Sequence, residues 1–375
     1  MAEPFKNLIN AELVRACGEH LQRVWRRFDR AGFEALALPG LTGLEMKARA
    51  MRIADALEAT LPEDFDHAAG LIEAALAPPA TGDEMEFRIT ADGLAGWIGW
   101  PLGEFIARRG QAHPERALRA LRELTQRFTS EFAVRPFLVN HFDLTLAQLR
   151  HWSGDPNPHV RRWTSEGTRP RLPWGLRIRS LVADPSPTLP LLRALQDDPS
   201  AYVRRSVANH LNDIAKDHPD LVADWLQRYL PGASPERLAL LRHASRSLIK
   251  QGQPRVLAAW GLGRPFRGEA RLSVTPARLA LGGSLRLRAE LVSAAARSQS
   301  LLVDYVVHHV KANGSSSPKV FKGWRLELGP HERRRLEKTH PLKPITTRVY
   351  HSGRHRIELQ VNGRVVAEAA FLLKA

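Results

Sequence analysis

Glu166 follows Arg162 by four residues in Val160-Arg161-Arg162-Trp163-Thr164-Ser165-Glu166, and Asp213 ends Asn209-His210-Leu211-Asn212-Asp213. A carboxylate set among guanidinium groups can stabilise a developing cation or orient an attacking water. On a solvated helix face the same spacing gives only an i, i+4 ion pair worth roughly 0.3 kcal/mol. Asp213 reads equally well as a solvated acid near Arg205 or Asn209. Between the two acids runs Arg169-Pro170-Arg171-Leu172-Pro173-Trp174-Gly175. Its prolines stiffen a loop, on which Trp174 is placed either to stack on a base or sugar or to plug a gap in a core. The chain has no Walker loop, no His-Glu-x-x-His, no Gly-x-Ser-x-Gly and no Cys-x-x-Cys, so neither a cofactor nor a metal site is expected. Residues 86–215 contain no lysine, which leaves no evident amine for a Schiff base there.

The elements that must position these residues are helical over most of the chain. From Ala11 to about Trp260 the buried-type residues recur at three and four, as in Leu13, Ala16, Cys17, His20, Leu21, Val24 and Phe28. Turn chemistry breaks the pattern at 77–82, 110–114, 154–156, 184–187, 198–199 and 231–235, so the helices are short. Asp155-Pro156-Asn157-Pro158-His159-Val160-Arg161-Arg162 repeats as Asp198-Pro199-Ser200-Ala201-Tyr202-Val203-Arg204-Arg205, 43 residues later. That period lies in the HEAT/armadillo range. At about 100° per residue, Val203, Val207, Leu211 and Ile214 share a packing face, while Arg205, Asn209 and Asp213 share the opposite one. Glu166 and its repeat partner Asn209 are thus expected on a basic outer face. A weaker third unit spans 238–257.

After Gly261-Leu262-Gly263-Arg264-Pro265 the period changes to two. Residues 271–274, 284–292, 301–310, 320–328, 354–361 and 364–372 read as strands, with turns at Asn313-Gly314 and Asn362-Gly363. The fold class predicted is an α-solenoid of HEAT-like helical repeats (1–265) followed by an all-β immunoglobulin-like sandwich (270–375). Arg333, Arg334, Arg335 and Lys338 are expected in or beside a loop of that sandwich.

Charge points to the partner. The 375 residues carry a formal +16, divided unevenly: residues 1–85 are net −5, and residues 269–375 are net +11. Such asymmetry favours a polyanion, nucleic acid ahead of an acidic protein or a membrane surface. One cysteine, Cys17, excludes a disulfide framework and fits a reduced thiol in a cytoplasmic protein. No leader-like apolar segment and no membrane-spanning run occur, so no membrane partner is expected. Arg161, Arg162, Arg169, Arg171, Arg204 and Arg205 on the helices and Arg333, Arg334, Arg335 and Lys338 in the sandwich are the candidate phosphate contacts.

Taken in order, Phe128-Thr129-Ser130-Glu131-Phe132-Ala133-Val134-Arg135-Pro136-Phe137, His151-Trp152-Ser153, Val160 to Gly167, Leu172-Pro173-Trp174 and Ala208 to Asp213 form a specific combination. It resembles the AlkC branch of the HEAT-like DNA alkylation-repair glycosylases, over roughly residues 1–265. One subgroup of that branch carries a C-terminal immunoglobulin-like domain. The resemblance implies a monofunctional DNA glycosylase that removes cationic N-alkylated bases such as 3-methyladenine and 3-methylcytosine from double-stranded DNA; separately, a monomer is expected. It also implies that Glu166 and Asp213 are catalytic-site acids, with Glu131 a further member of the site and Trp174 a stacking residue. A competing class is a noncatalytic HEAT scaffold binding nucleic acid or an acidic protein, which fold alone does not distinguish.

Overall fold

A computed structural model of the chain describes residues 4–83, 87–345 and 348–375. The chain divides into two compact units, Met1–Asp217 with Ser234–Ala244, and His218–Ala233 with Ser245–Ala375. Helices Pro219–Tyr229, Arg246–Gln251 and Pro254–Ala259 therefore group with the β-structure, although their 3.6-residue period alone assigns them to the array before it.

In the first unit the 43-residue repeat recurs in the contacts of its turn. Asp155 accepts the Asn157 N–H at 2.8 Å and Asp198 accepts the Ser200 N–H at 2.9 Å. Asn157 and Ser200 then cap helices Pro158–Gly167 and Ala201–Ile214. Arg161 donates to the carbonyls of Asp155 and Pro156 at 2.8 and 2.9 Å, and Arg204 to those of Asp198 and Pro199 at 2.5 and 2.8 Å. Arg161 also pairs with Asp198, and Arg122 with Asp155, so successive turns are tied by part-buried ion pairs on buried carboxylates. Val203, Val207, Leu211 and Ile214 are fully buried as the stripe requires.

The opposite face departs from the expectation. Arg205 is exposed, Asn209 is half-buried, and Asp213 is completely buried. Two elements cover it: helix Pro235–Ala244, whose His243 lies 2.8 Å from the Asn209 amide oxygen, and the loop after Gly167, whose Arg171 N–H reaches Asp213. A helical wheel assigns the two sides of one helix; it carries no information on what a later loop lays over the far side.

The second unit contains strands β1 (Gly268–Thr275), β2 (Arg278–Ala280), β3 (Ser284–Ser293), β4 (Gln299–Val310), β5 (Ser316–Leu328), β6 (Arg333–Pro341), β7 (Gly353–Val361) and β8 (Arg364–Lys374). They form a three-stranded sheet, β1-β3-β6, and a five-stranded sheet, β2-β8-β7-β4-β5. Two apolar clusters fill the interior, one around Leu285, Tyr305, Ile357 and Phe371, the other around Leu291, Val303, Leu359 and Val361. Asn362, at φ 50°, and Gly363, at φ 76°, make the tight turn that their pairing predicts.

Arg333, Arg334, Arg335 and Lys338 are not on a loop. They lie in β6, which pairs antiparallel with β3 from Val292↔Arg333 to Ser284↔Pro341. Strand alternation divides the run: Arg333 and Arg335 point outward, where Glu290 pairs with them, and Lys338 turns inward over the Trp324 ring at 5.7 Å. Only Leu336 and His340 supply apolar alternation, too little to reveal a strand among charges.

Candidate active site

Helix Pro158–Gly167 carries Glu166 in its last turn, and the side chain is buried, with 5% of the residue exposed. The exposed-helix reading is therefore corrected. Ser206, on the neighbouring helix, donates its hydroxyl to Oε2 at 2.6 Å, and Arg169 donates to Oε1 at 2.5 Å. Arg162 stands 3.8 Å from Oε1. Burial acts to raise the Glu166 pKa, but the charges of Arg162 and Arg169 and the Ser206 hydrogen bond outweigh it and hold the carboxyl below its ordinary value. Glu166 is an anion near neutral pH.

Asp213 is the second acid, and it too is a buried carboxylate rather than a solvated one. Its Oδ2 accepts the Arg171 backbone N–H at 2.7 Å, and its Oδ1 accepts from Lys216 at 2.7 Å. Lys216 begins one residue beyond the lysine-free window, so an amine does stand beside this acid in space. The Arg169 guanidinium links the two carboxylates, 2.5 Å from Glu166 and 3.9 Å from Asp213. A cation is held between two buried anions. His210 packs among them, fully buried, with Nδ1 2.9 Å from the Ser165 carbonyl; burial first, then the Arg169 charge, lowers its pKa to about 4. The imidazole is neutral at pH 7. Glu131 accepts the Thr129 hydroxyl at 2.6 Å and the Arg162 guanidinium, which also lies over the Tyr202 ring at 5.5 Å.

Trp174 has no core gap to plug. It is 68% exposed, at φ 64°, a left-handed conformation that bulky residues seldom adopt. The loop is fixed from beneath by Arg135, whose fully buried guanidinium donates to the carbonyls of Gly167 at 2.7 Å, Pro170 at 3.4 Å and Leu176. Burial lowers the Arg135 pKa to about 10, so the group stays charged. Gly175 lies so close over it that an added Cβ would come within 3.2 Å of the Arg135 side chain. Sequence reasoning missed Arg135, Ser206 and Lys216 as parts of the site. The Arg135-Pro136 pair at a helix start was a weak signal, and the other two had none.

The candidate phosphate contacts on the helices are mostly engaged. Arg161, Arg162 and Arg169 are held by Asp198, Glu131 and Glu166, and Arg171 binds Asp217 through two contacts of 2.6 Å. Arg205 is exposed, 3.4 Å from His243 Nδ1. Among the described residues there is no grouping of three or more metal-ligating side chains and no helix long and apolar enough to cross a membrane.

A family model described as DNA alkylation repair enzyme matches residues 125–248. One described as the C-terminal Ig-like domain of the uncharacterised protein YhaZ matches residues 269–375. Over 362 residues, 96% of each chain, the sequence is 35% identical to the uncharacterized protein YhaZ of Bacillus subtilis. The structure superposes on the Pseudomonas fluorescens alkylpurine DNA glycosylase AlkC, solved bound to DNA containing an abasic site analog, with a TM-score of 0.90, 36% identity and full coverage of both chains.

Proposed function

The chain belongs to the AlkC family of DNA alkylation-repair glycosylases, and we propose from that premise that it hydrolyses the N-glycosidic bond of 3-methyladenine and 3-methylcytosine in duplex DNA. The observation that carries the reading is the cation held between Glu166 and Asp213. Cleavage of the bond at C1′ leaves its electron pair on the base and positive charge on the sugar, so the group needed beside C1′ is a fixed anion. A cationic alkylated base departs neutral and requires no general acid. Water then bonds to C1′ and gives up a proton, which a carboxylate in contact with it can accept.

In this reading Glu166 is the principal anion, kept ionised by Arg162 and Arg169, and displacement of Arg169 from its carboxylate opens the place for the sugar. Asp213 adds negative charge and anchors the Trp174 loop through the Arg171 N–H. Glu131 orients Arg162. Trp174 offers an aromatic face to the positive base, a contact worth about 0.5–2 kcal/mol. Arg205 and the outward arginines of β3 and β6 contact phosphates, and the reduced, buried Cys17 suits a cytoplasmic enzyme.

The test is incubation of the protein with methylated duplex DNA and chromatography of the released bases. Free 3-methyladenine and 3-methylcytosine with an intact backbone at the abasic site are expected. No released base would remove the reading. A covalent complex trapped by borohydride would replace hydrolysis by a lyase step through an amine such as Lys216.

A further inference from the structure

Two exposed aromatic rings from distant parts of the sequence are held against each other. Phe5 is 54% exposed, and its centroid lies 6.5 Å from that of Trp174, the rings tilted by 57°. The Phe5 ring also meets Trp97 edge-on, centroids 5.0 Å apart. Trp97 in turn contacts Phe128, three residues before Glu131, at 5.1 Å.

Neither segment is loose. A four-residue 3-10 turn, Phe5–Leu8, displays Phe5, and the buried Arg49 guanidinium fixes it by donating to the carbonyls of Lys6 at 2.9 Å and Ile9 at 2.8 Å. Two further carbonyls, Leu44 and Thr42, complete the Arg49 donors at 2.9 and 2.8 Å. Arg135 does the same for the Trp174 loop. A single exposed apolar side chain needs no explanation, but two rigidly presented rings in contact make a patch that water solvates poorly. Both anchors commit a buried guanidinium to backbone carbonyls, so the arrangement of the rings is determined by the fold rather than by the rings.

We propose that Phe5, backed by Trp97, is the second wall of the lesion site: a V-shaped aromatic corner, with Trp174 as the first wall, that takes the cationic N-alkylated purine. Two π systems meeting at an angle present electron-rich surface to one planar cation on two sides, where one ring alone presents a single face. The proposal rests on the glycosylase reading and deepens it by adding a specificity-determining residue near the start of the chain, more than 100 positions from the acids.

Single-turnover release of 3-methyladenine from methylated duplex DNA tests it, using wild type, Phe5→Ala, Phe5→Leu, Phe5→Trp, Trp174→Ala and the Phe5→Ala/Trp174→Ala pair. Phe5→Ala should slow release about 3- to 10-fold. Phe5→Leu should not restore the rate and Phe5→Trp should. The double variant should lose less than the product of the single losses, and affinity for unmethylated duplex should stay within about 2-fold. Equal melting temperatures confine the comparison to folded protein. Wild-type release by Phe5→Ala, full rescue by Phe5→Leu, or an equal loss of affinity for unmethylated duplex would each overturn the proposal while leaving the glycosylase reading standing. Absence of release by the wild-type protein would remove both.

Discussion

Glu166 and Glu290 each meet two arginines, yet the two sites are built in opposite ways. Arg169 and Arg162 stand 2.5 and 3.8 Å from Glu166, and Arg335 and Arg333 stand 3.0 and 3.7 Å from Glu290. Around Glu166 the Ser206 partner is buried and the Arg162 and Arg169 side chains are only 14% and 11% exposed. Around Glu290 the arginine side chains are 80% and 62% exposed. An exposed pair contributes about 0.2–1 kcal/mol, because water and salt screen it and two long side chains must be ordered. A buried group is different: removing one partner leaves an uncompensated charge at a cost of roughly 3–5 kcal/mol. Both glutamates have lowered pKa values, through the Arg335 hydrogen bond at Glu290 and against the opposing effect of burial at Glu166. The lesson is that a shifted pKa beside arginines marks a candidate site only together with burial and a network that ties several elements to the same carboxylate.

The largest expected effect breaks that comparison at Glu166. Glu166→Gln keeps an acceptor for Ser206 and Arg169 but removes the charge, and it should slow base release at least about 10-fold in single turnover. Duplex affinity should change far less. Glu290→Gln should leave release unchanged, with stability moved by no more than about 0.5 kcal/mol. A Glu166→Gln protein that releases base at the wild-type rate would transfer the principal role to Asp213 or Glu131.

The repeat, the strand-rich C-terminal region and the loop that carries Trp174 could all be read from residue order, because each is written in local spacing. What local spacing could not supply is coverage. Asp213 falls on the outward side of its helix by angle, and yet it is buried, with the loop backbone at Arg171 and the side chains of Arg169 and Lys216 laid against it. Lys216 follows the lysine-free stretch 86–215 directly, and its amine still reaches Asp213 within 2.7 Å. The Arg49 and Arg135 anchors share this difficulty. Each acts through backbone carbonyls, which every residue has, so nothing in the identity of the partner residues marks the contact. β6 was hidden for the converse reason: its pairing with β3 is regular, but charged side chains occupy the positions where alternation would show.

Acid sharpens the comparison between the units. In the sandwich, burial lowers the pKa of His309 to about 3 and of His340 to about 4, and it also lowers that of His355. An unfolded histidine binds a proton near pH 6.5, so between about pH 6.5 and 4 the unfolded sandwich holds protons that the folded one does not. Stability is lost as pH falls through that window, by up to about 1.4 kcal/mol per pH unit for each such group. Glu166 acts in the same sense but in a lower pH window. Its folded pKa is depressed, so its contribution is complete above the ordinary glutamate value and is lost only as pH falls through the lower folded one. His20 and His210, lowered in the same way by burial, add the same dependence in the helical unit, so between pH 7.5 and 5 the melting temperature should drop, and His309→Phe should reduce the share of that dependence that comes from the sandwich. An unchanged slope in the variant would show that this histidine is not the source.

The smallest effect concerns the outward face of the three-stranded sheet. Pairing aligns Arg271, Glu290 and Arg335 in one row, Ser273, Arg288 and Glu337 in the next, and Thr275, Arg286 and Thr339 beyond it. Arg288 pairs with Glu337, so arginines and acids alternate, and only the Arg286 row has no acid in it. A face of this kind binds phosphate weakly at each position, since several guanidinium groups already have a carboxylate beside them. Replacing Arg286, Arg288 and Arg335 together by alanine should therefore weaken duplex binding by only about 3-fold at moderate salt. The slope of log affinity against log salt should flatten by about 0.9 for each phosphate that the variant no longer neutralises. Base release at saturating protein should persist, because none of these residues touches the buried acids of the helical unit. Binding and salt slope equal to the wild-type values would leave the +11 charge of residues 269–375 with a solubilising role alone. A loss of release in the triple variant that matched Glu166→Gln would erase the distinction between the two clusters, because an exposed and screened charge pattern would then be doing what only a buried one should do.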